Sequence, residues 1–365
     1  MGERPPDVDT SALEAYLAAE LDVAVTETEV LGDGLNRVVA VSTPDADRAY
    51  VVRRPNDARG EICPNDVRAE YHILERLAPT AVPAPTPVLL CEDGSVFGGP
   101  FLVATYLDGD IVPLGESLPA RFQTADARRA VAVALVDALA DIHAVDTAPF
   151  QGICTRFTPR EQVDRTAALL DDATAGVDYE PAGLRGVADW LRANAPEDHA
   201  TTLLHGDYRP GNVLLVGDDC PGVGGVLDWE TAMLGDPLID LGYLLLRWRD
   251  PGDPTPDIDA IAARYPDRAD AIDDLRETNA RGLAPFTARD GSPNREAVVE
   301  RYESRTDRTF ENERFHLAYA AFMLATVWTD LHCRQVAAGA ASGGAPHAEY
   351  LGLLAELVID GELRV

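Results

Sequence analysis

Residues 203–216 run Leu-Leu-His-Gly-Asp-Tyr-Arg-Pro-Gly-Asn-Val-Leu-Leu-Val, and residues 225–230 run Gly-Val-Leu-Asp-Trp-Glu. The first stretch is a turn-rich loop that feeds an apolar strand. The second is a short strand that ends on two acids. Two strands in this order predict a hairpin whose ends come together. Asn212 and Asp228 then offer an amide and a carboxylate oxygen to one hard cation, Mg²⁺. Asp207 projects beside them as an anionic proton acceptor. Phosphoryl transfer needs such a set. Negative charge spreads over the moving group's oxygens, so catalysis is mostly positioning and neutralisation by metal, with one carboxylate to take the proton of the attacking hydroxyl.

The rest of the chain sets the frame. Its 365 residues allow two domains or one two-lobed unit. Hydrophobic residues make up 46% and charged residues 25%, as in ordinary globular proteins. No apolar run approaches the roughly 20 residues that span a membrane, and Met1–Pro6 carries no apolar signal core. The formal net charge is −31, and the chain holds no lysine: all 31 cations are arginine. A nucleic-acid binder needs a basic footprint, and an anionic membrane would repel this surface. Uniform acidity without lysine is a halophilic composition, in which concentrated salt screens the repulsion. Read that way, the charge carries no information about substrate. Cys63, Cys91, Cys154, Cys220 and Cys333 are widely spaced and odd in number, and the seven histidines form no ligand pair. Neither a disulfide framework nor a zinc site follows, and a reducing cytoplasm fits.

Hydrophobic spacing predicts a helix over 11–21, with Ser11 as N-cap and Glu14 as its capping-box partner. A three-strand meander follows: Val23–Leu31, Arg37–Ser42 and Tyr50–Arg53, with turns at Gly32–Asn36 and Pro44–Asp47. Next come a helix near Asp66–Leu77 and two strands, Val88–Cys91 and Pro100–Leu107, joined through turns at Glu92–Gly94 and Gly98–Gly99. Beyond 107 helices dominate: 125–145, 160–172, 182–194, 296–304 and 313–336. The switch predicts an α+β protein with a strand-rich lobe at 1–107 and a helical lobe at 108–365.

His205-Gly206-Asp207-Tyr208-Arg209-Pro210-Gly211-Asn212, Leu227-Asp228-Trp229-Glu230 and Gly235-Asp236-Pro237-Leu238-Ile239-Asp240-Leu241-Gly242 resemble the aminoglycoside phosphotransferase and choline kinase-like family, relatives of the protein kinases. Val51–Pro55, Ala69–Leu74 and the Arg295-Glu296, Arg301-Tyr302 and Arg305-Thr306 pairs resemble the branch found fused to acyl-CoA dehydrogenases. The likeness runs from about residue 30 to 335. It implies a protein-kinase-like two-lobed fold. It also implies a kinase that uses ATP or GTP with Mg²⁺ to phosphorylate a small molecule's hydroxyl group.

The resemblance assigns roles residue by residue. Asp207 is the base, and Asn212 and Asp228 hold the metal. Glu230 touches metal-bound water, substrate or structure alone. His205 packs beneath the loop, and Asp240 bonds to the loop's backbone. The strand lysine that grips nucleotide phosphates in kinases is missing, so the role falls to an arginine. Arg53 is placed for it, since Val51 and Arg53 share a strand face, with Glu70 as its partner; a register slip would substitute Arg54. A guanidinium binds phosphate bidentately and stays charged. Gly32, Gly34 and Asn36 belong to a turn over the nucleotide phosphates or to a plain hairpin. Thr105 and Leu107 flank the hinge that meets the base. Relatives often carry an acidic residue at Thr105, which leaves ATP against GTP open. The fused relatives imply a hydroxyacyl-CoA or related metabolite as acceptor; the wider family implies aminoglycosides or choline. A nucleotide-binding protein without catalysis is the other reading of the missing lysine.

Overall fold

The computed structural model describes residues 10–56, 65–218, 220–340 and 342–365. Met1–Pro6 and Cys63, on which part of the sequence reading rests, lie outside them. The chain divides into two compact units. The first holds the described residues up to Gly109 together with Ala148–Cys154 and Gly224–Ala232; the second holds Asp110–Thr147, Thr155–Val223 and Met233–Val365.

The first unit opens with α1 (Ser11–Leu21) and the strands β1 (Glu27–Asp33), β2 (Asn36–Thr43) and β3 (Ala46–Pro55). Then come α2 (Val67–Leu77), β4 (Pro87–Cys91), α3 (Gly94–Phe97) and β5 (Phe101–Thr105). The expected meander is present and grows into one five-stranded antiparallel sheet in the order β1-β2-β3-β5-β4. Alternation along β2 and β3 turns Val39, Val41 and Val52 inward. There they pack with Leu13 and Leu17 of α1 and with Cys91, Phe97, Phe101 and Val103. Each such side chain, fully buried, contributes about 1.5–3 kcal/mol of transfer free energy.

Two local expectations need correction. The N-cap of α1 is Thr10, not Ser11; the Thr10 hydroxyl donates to the Glu14 carboxylate at 2.8 Å. The linker between β4 and β5 is not a plain turn. Asp93 accepts from the backbone and hydroxyl of Ser95, at 2.9 and 2.7 Å, and so caps the short helix α3. Asp66 caps α2, its side chain accepting from Ala69 N–H at 2.8 Å.

The second unit holds α4 (Ala125–His143), α5 (Pro159–Thr174), α6 (Leu184–Asn194), β6 (Thr202–Leu204) and β7 (Val213–Val216). The chain passes through β8 (Gly222–Val226) and continues with β9 (Met233–Gly235), α7 (Leu238–Leu245), α8 (Ile258–Arg264) and α9 (Ala269–Arg281). It ends with α10 (Arg295–Thr306), α11 (Glu313–Ala337) and α12 (Gly344–Ile359). Helix α11 is buried nearly all round, which suits the centre of a helical unit. It packs on α12, α5 and α7. Gly242 of α7 lets α11 approach closely: a Cβ there would lie 2.8 Å from the His316 Cβ. The Arg301, Tyr302 and Arg305 positions fasten α10 to α4. Arg301 pairs with Asp137 at 2.6 Å, Arg305 with Asp141 at 2.8 Å, and the Tyr302 hydroxyl meets His143 Nδ1 at 2.8 Å. No helix among the described residues is long and apolar enough to cross a membrane.

Candidate active site

In the first unit, β3 and α2 bring a cation and an acid together. Arg53 pairs across β2 with Val38 and across β5 with Leu102, in the middle of the sheet. Its guanidinium is buried and donates to Glu70 of α2, which is buried as well. The same guanidinium donates to Glu230 at 2.5 Å and lies 3.1 Å from Asp228. A buried cation of this kind requires such partners, because losing hydration costs several kcal/mol per ion. Arg54 points away. It donates to the carbonyls of Phe97 and Gly98 at 3.3 Å and to the Asn56 side chain.

Glu230 does not share a strand face with Asp228. The strand stops at Val226, and Asp228 takes a left-handed conformation with φ +64° at the head of a single 3₁₀ turn, Trp229–Thr231. Such a conformation at a non-glycine residue costs on the order of 1–3 kcal/mol, and strain of this kind concentrates at functional sites. The turn sends the buried Glu230 toward Arg53 and toward Asn36, whose amide donates to it at 2.8 Å. It leaves the Asp228 side chain 46% exposed. Buried Asn65 fixes the turn by donating to the Ala232 carbonyl at 2.8 Å.

The Gly32–Asn36 turn joins β1 to β2, with Gly34 N–H on the Asn36 carbonyl at 3.2 Å. Open space lies over Gly32 and Gly34, since a Cβ at either would meet nothing within 4 Å. Asp33 braces the turn through Arg37, at 2.6 Å, and Asn56, at 2.8 Å; these bonds hold its carboxyl below the usual carboxylate range. Thr105 ends β5 with its hydroxyl accepting from Thr86 N–H at 2.9 Å. Leu107 lies two residues on, half-buried.

In the second unit, Asp207 follows Gly206, whose φ of +81° favours glycine. The Asp207 carboxylate accepts from the Asn212 amide at 2.7 Å, from Arg209 Nε at 3.2 Å and from the Tyr243 hydroxyl at 2.5 Å. Burial pushes its carboxyl up, but Arg209, Arg247, the Tyr243 hydroxyl and His205 outweigh that and hold it below the ordinary range. It is an ionised carboxylate at neutral pH. Burial pushes the Tyr243 phenol upward, so it stays a neutral donor. The loop rests on α7: both carboxylate oxygens of buried Asp240 accept backbone N–H groups, His205 at 2.7 Å and Gly206 at 2.9 Å. His205 is fully buried and accepts from Asp207 N–H at 3.2 Å through Nδ1. Behind Asp240 stand His143, at 3.4 Å, and the Tyr302 hydroxyl beyond it.

Asn212 spends its amide N–H groups on Asp207, on the side chain at 2.7 Å and on the carbonyl at 2.9 Å. In the first unit, Asp228 presents an accessible carboxylate. Among the described residues, no cluster of three or more His, Cys, Asp or Glu side chains is gathered to hold a metal.

Tyr243 and Arg247 are absent from the sequence-based candidates. Their signal is spacing: Asp240, Tyr243 and Arg247 fall three and four residues apart, along one face of α7 and its end.

The mouse acyl-CoA dehydrogenase family member 10 is 32% identical over 209 residues; the match covers 56% of this chain and 19% of that protein. The chain thus spans about a fifth of that relative's length. A crystal structure from Ralstonia eutropha, a candidate aminoglycoside phosphotransferase, superposes with a TM-score of 0.70 at 26% identity, covering 97% of this chain and 98% of that one. A thermostable mutant of an aminoglycoside phosphotransferase, solved with ADP and hygromycin B, shares the fold at 16% identity, with a TM-score of 0.59 and 96% and 99% of the two chains covered. The strand-rich N-terminal region and helix-rich C-terminal region match the two-lobed kinase-like fold of these proteins. The model of the phosphotransferase enzyme family matches residues 26–277, which include Arg53, Asp207, Asn212 and Asp228, and the chain belongs to that family of kinase-type enzymes.

Proposed function

We propose that the protein transfers the γ-phosphoryl group of ATP or GTP to a hydroxyl group of a small molecule, a hydroxyacyl-CoA or a related metabolite. One observation carries the reading: Asp207 is an ionised carboxylate held by three donors on a loop that is itself tied to α7. Asp207 accepts the proton of the attacking hydroxyl. The new bond joins the acceptor oxygen to the γ-phosphorus, the bond from that phosphorus to the β,γ-bridging oxygen breaks, and the nucleoside diphosphate leaves. Asn212 and Asp228 supply oxygens for Mg²⁺, which when bound neutralises charge on the phosphates. Arg53, oriented by Glu70 and Glu230, binds phosphate oxygens in place of the missing lysine. Gly32, Gly34 and Asn36 cover the phosphates with backbone N–H groups, and Thr105 and Leu107 meet the base. The hydroxyacyl-CoA acceptor is supported by the likeness to acyl-CoA dehydrogenase family member 10.

The test is a screen for nucleotide-dependent phosphorylation of hydroxyl compounds in Mg²⁺ and high salt, with hydroxyacyl-CoA, choline and aminoglycosides as acceptors. A phosphorylated hydroxyacyl-CoA supports the reading. Nucleotide binding without transfer to any alcohol contradicts it.

A further inference from the structure

Three arginines among the described residues are buried: Arg53, Arg247 and Arg295. Arg53 pairs with Glu70 and Glu230, and Arg295 pairs with Asp253 at 2.7 Å. Among the described residues Arg247 has no acid within ion-pair distance, although its charge acts on Asp207. Its side chain donates to the Tyr243 carbonyl at 2.7 Å and lies over the Tyr243 ring, 3.8 Å from the centroid, while its Nε has no hydrogen-bond partner. Ring stacking and one carbonyl compensate only part of the hydration that a guanidinium loses. A buried cation with an unused donor is a site prepared for an anion.

Its surroundings fit this. Arg247 lines a small recess of about 10 Å³ with Val112, Leu114, Arg209, Gly211 and Leu283, so two arginines border one space with largely apolar walls. The Tyr243 phenol links this recess to Asp207: its hydroxyl donates to Asp207 and its ring lies under Arg247. A group held by Arg247 therefore sits about one phenol ring away from the group that takes the proton. Leu114 and Leu283 also line an adjoining cavity of about 280 Å³ with Thr278, Arg281, Trp328 and Tyr350, which gives room for the remainder of an acceptor. In a chain of net charge −31, two arginines around one recess are a local reversal of sign.

We propose that Arg247 anchors an anionic group of the acceptor, a carboxylate or phosphate held close to the hydroxyl that receives the phosphoryl group. The proposal rests on the kinase reading above and narrows its acceptor: anionic alcohols are substrates, and neutral or cationic ones are poor. Arg247 acts as a specificity residue, reading charge rather than performing chemistry.

The experiment compares kcat/KM for matched acceptors: glycerate against glycerol, and 3-hydroxybutyrate against its methyl ester, its CoA thioester and choline. The wild type prefers the acids over the neutral partners at least ten-fold. Arg247→Gln removes that preference through KM, and Arg247→Lys, which keeps the cation, restores part of it. The thioester separates the sources of charge: if its phosphates are the anion, Arg247→Gln impairs the thioester and leaves the free acids unaffected. A wild type indifferent to acceptor charge overturns the proposal. So does an Arg247→Gln variant that lowers every acceptor by the same factor, as a mere brace for Tyr243 would. If no alcohol takes phosphate, the kinase reading fails on its own. Calorimetric titration with 3-hydroxybutyrate then decides the anion site: binding lost in Arg247→Gln and kept in Arg247→Lys supports it, and equal or absent binding in the wild type overturns it.

Discussion

Arg53 and Glu230 meet in a buried ion pair at 2.5 Å, although 177 residues separate them in the chain. Glu70 completes the clamp from α2. Arg53→Ala leaves two buried carboxylates without their guanidinium, and breaking such a set costs about 3–5 kcal/mol. The expected result is a lower melting temperature together with Mg–nucleotide affinity weakened at least ten-fold in a fluorescence titration of the folded protein. Arg53→Lys keeps a cation and recovers part of both. Unchanged affinity in the folded Arg53→Ala protein would remove Arg53 from the nucleotide site.

Asp240 fixes the loop that carries Asp207 by accepting from two backbone N–H groups with two oxygens. Asparagine offers one carbonyl oxygen and an amide that cannot accept, so Asp240→Asn strands one N–H. That costs about 1–3 kcal/mol and shifts the base. The expected kinetics are a kcat lower by about 10–100-fold with little change in the KM for nucleotide, for which we propose Arg53 of β3 as the phosphate-binding arginine. Wild-type kcat in Asp240→Asn would show that the loop holds its geometry without this support.

His316 is fully buried on α11, and burial pushes its imidazole down to about 3. An unfolded histidine titrates near 6.5, at about the reference value. Below that pH the unfolded chain binds a proton that the folded chain does not. Stability therefore falls as pH drops from about 6.5 toward 3, on the order of 1 kcal/mol per pH unit, and is recovered above 6.5. Asp236, with its oxygen 3.8 Å from His316 Nε2, is pushed the other way by burial and offsets part of the loss. Urea midpoints at pH 7 and pH 5 should differ less in His316→Leu than in the wild type. Equal differences would mean that His316 does not carry the acid sensitivity.

Sixty-two carboxylates against 31 arginines leave strong self-repulsion, which salt screens over about 10 Å at 0.1 M and about 3 Å at 1 M. We propose that the protein is built for concentrated salt. Circular dichroism should report reversible unfolding as salt is dialysed away and refolding when it is restored. Full stability in dilute buffer would contradict the halophilic reading.

Much of this geometry is legible in the sequence where one period rules. The alternation of β3 points Arg53 to the helix that bears Glu70, and Asp240 lies on the loop backbone as its motif suggests. Other features are not legible, for physical reasons. Extending the strand through Asp228 misplaces Glu230, because one left-handed residue turns the chain. Strand spacing carries no sign of that turn. The spacing of Arg247 from Tyr243 places it near α7's end, but its burial over the Tyr243 ring is a property of packing rather than of motif. Thr10 stands at the cap position ahead of Ser11 without a side-chain capping bond, its hydroxyl engaged with Glu14 and with Thr28 on β1 at 2.9 Å, contacts that spacing does not show.

We propose that Asp207 takes the proton from an alcohol that receives a phosphoryl group. The most direct measurement is transfer of the labelled γ-phosphate of ATP to an alcohol that the screen identifies, in Mg²⁺ and high salt, for the wild type and Asp207→Asn at matched nucleotide occupancy. The wild type should yield a labelled phosphate ester, and the variant should form it at a rate lower by at least about a hundred-fold. Equal rates from the two proteins would contradict the proposal.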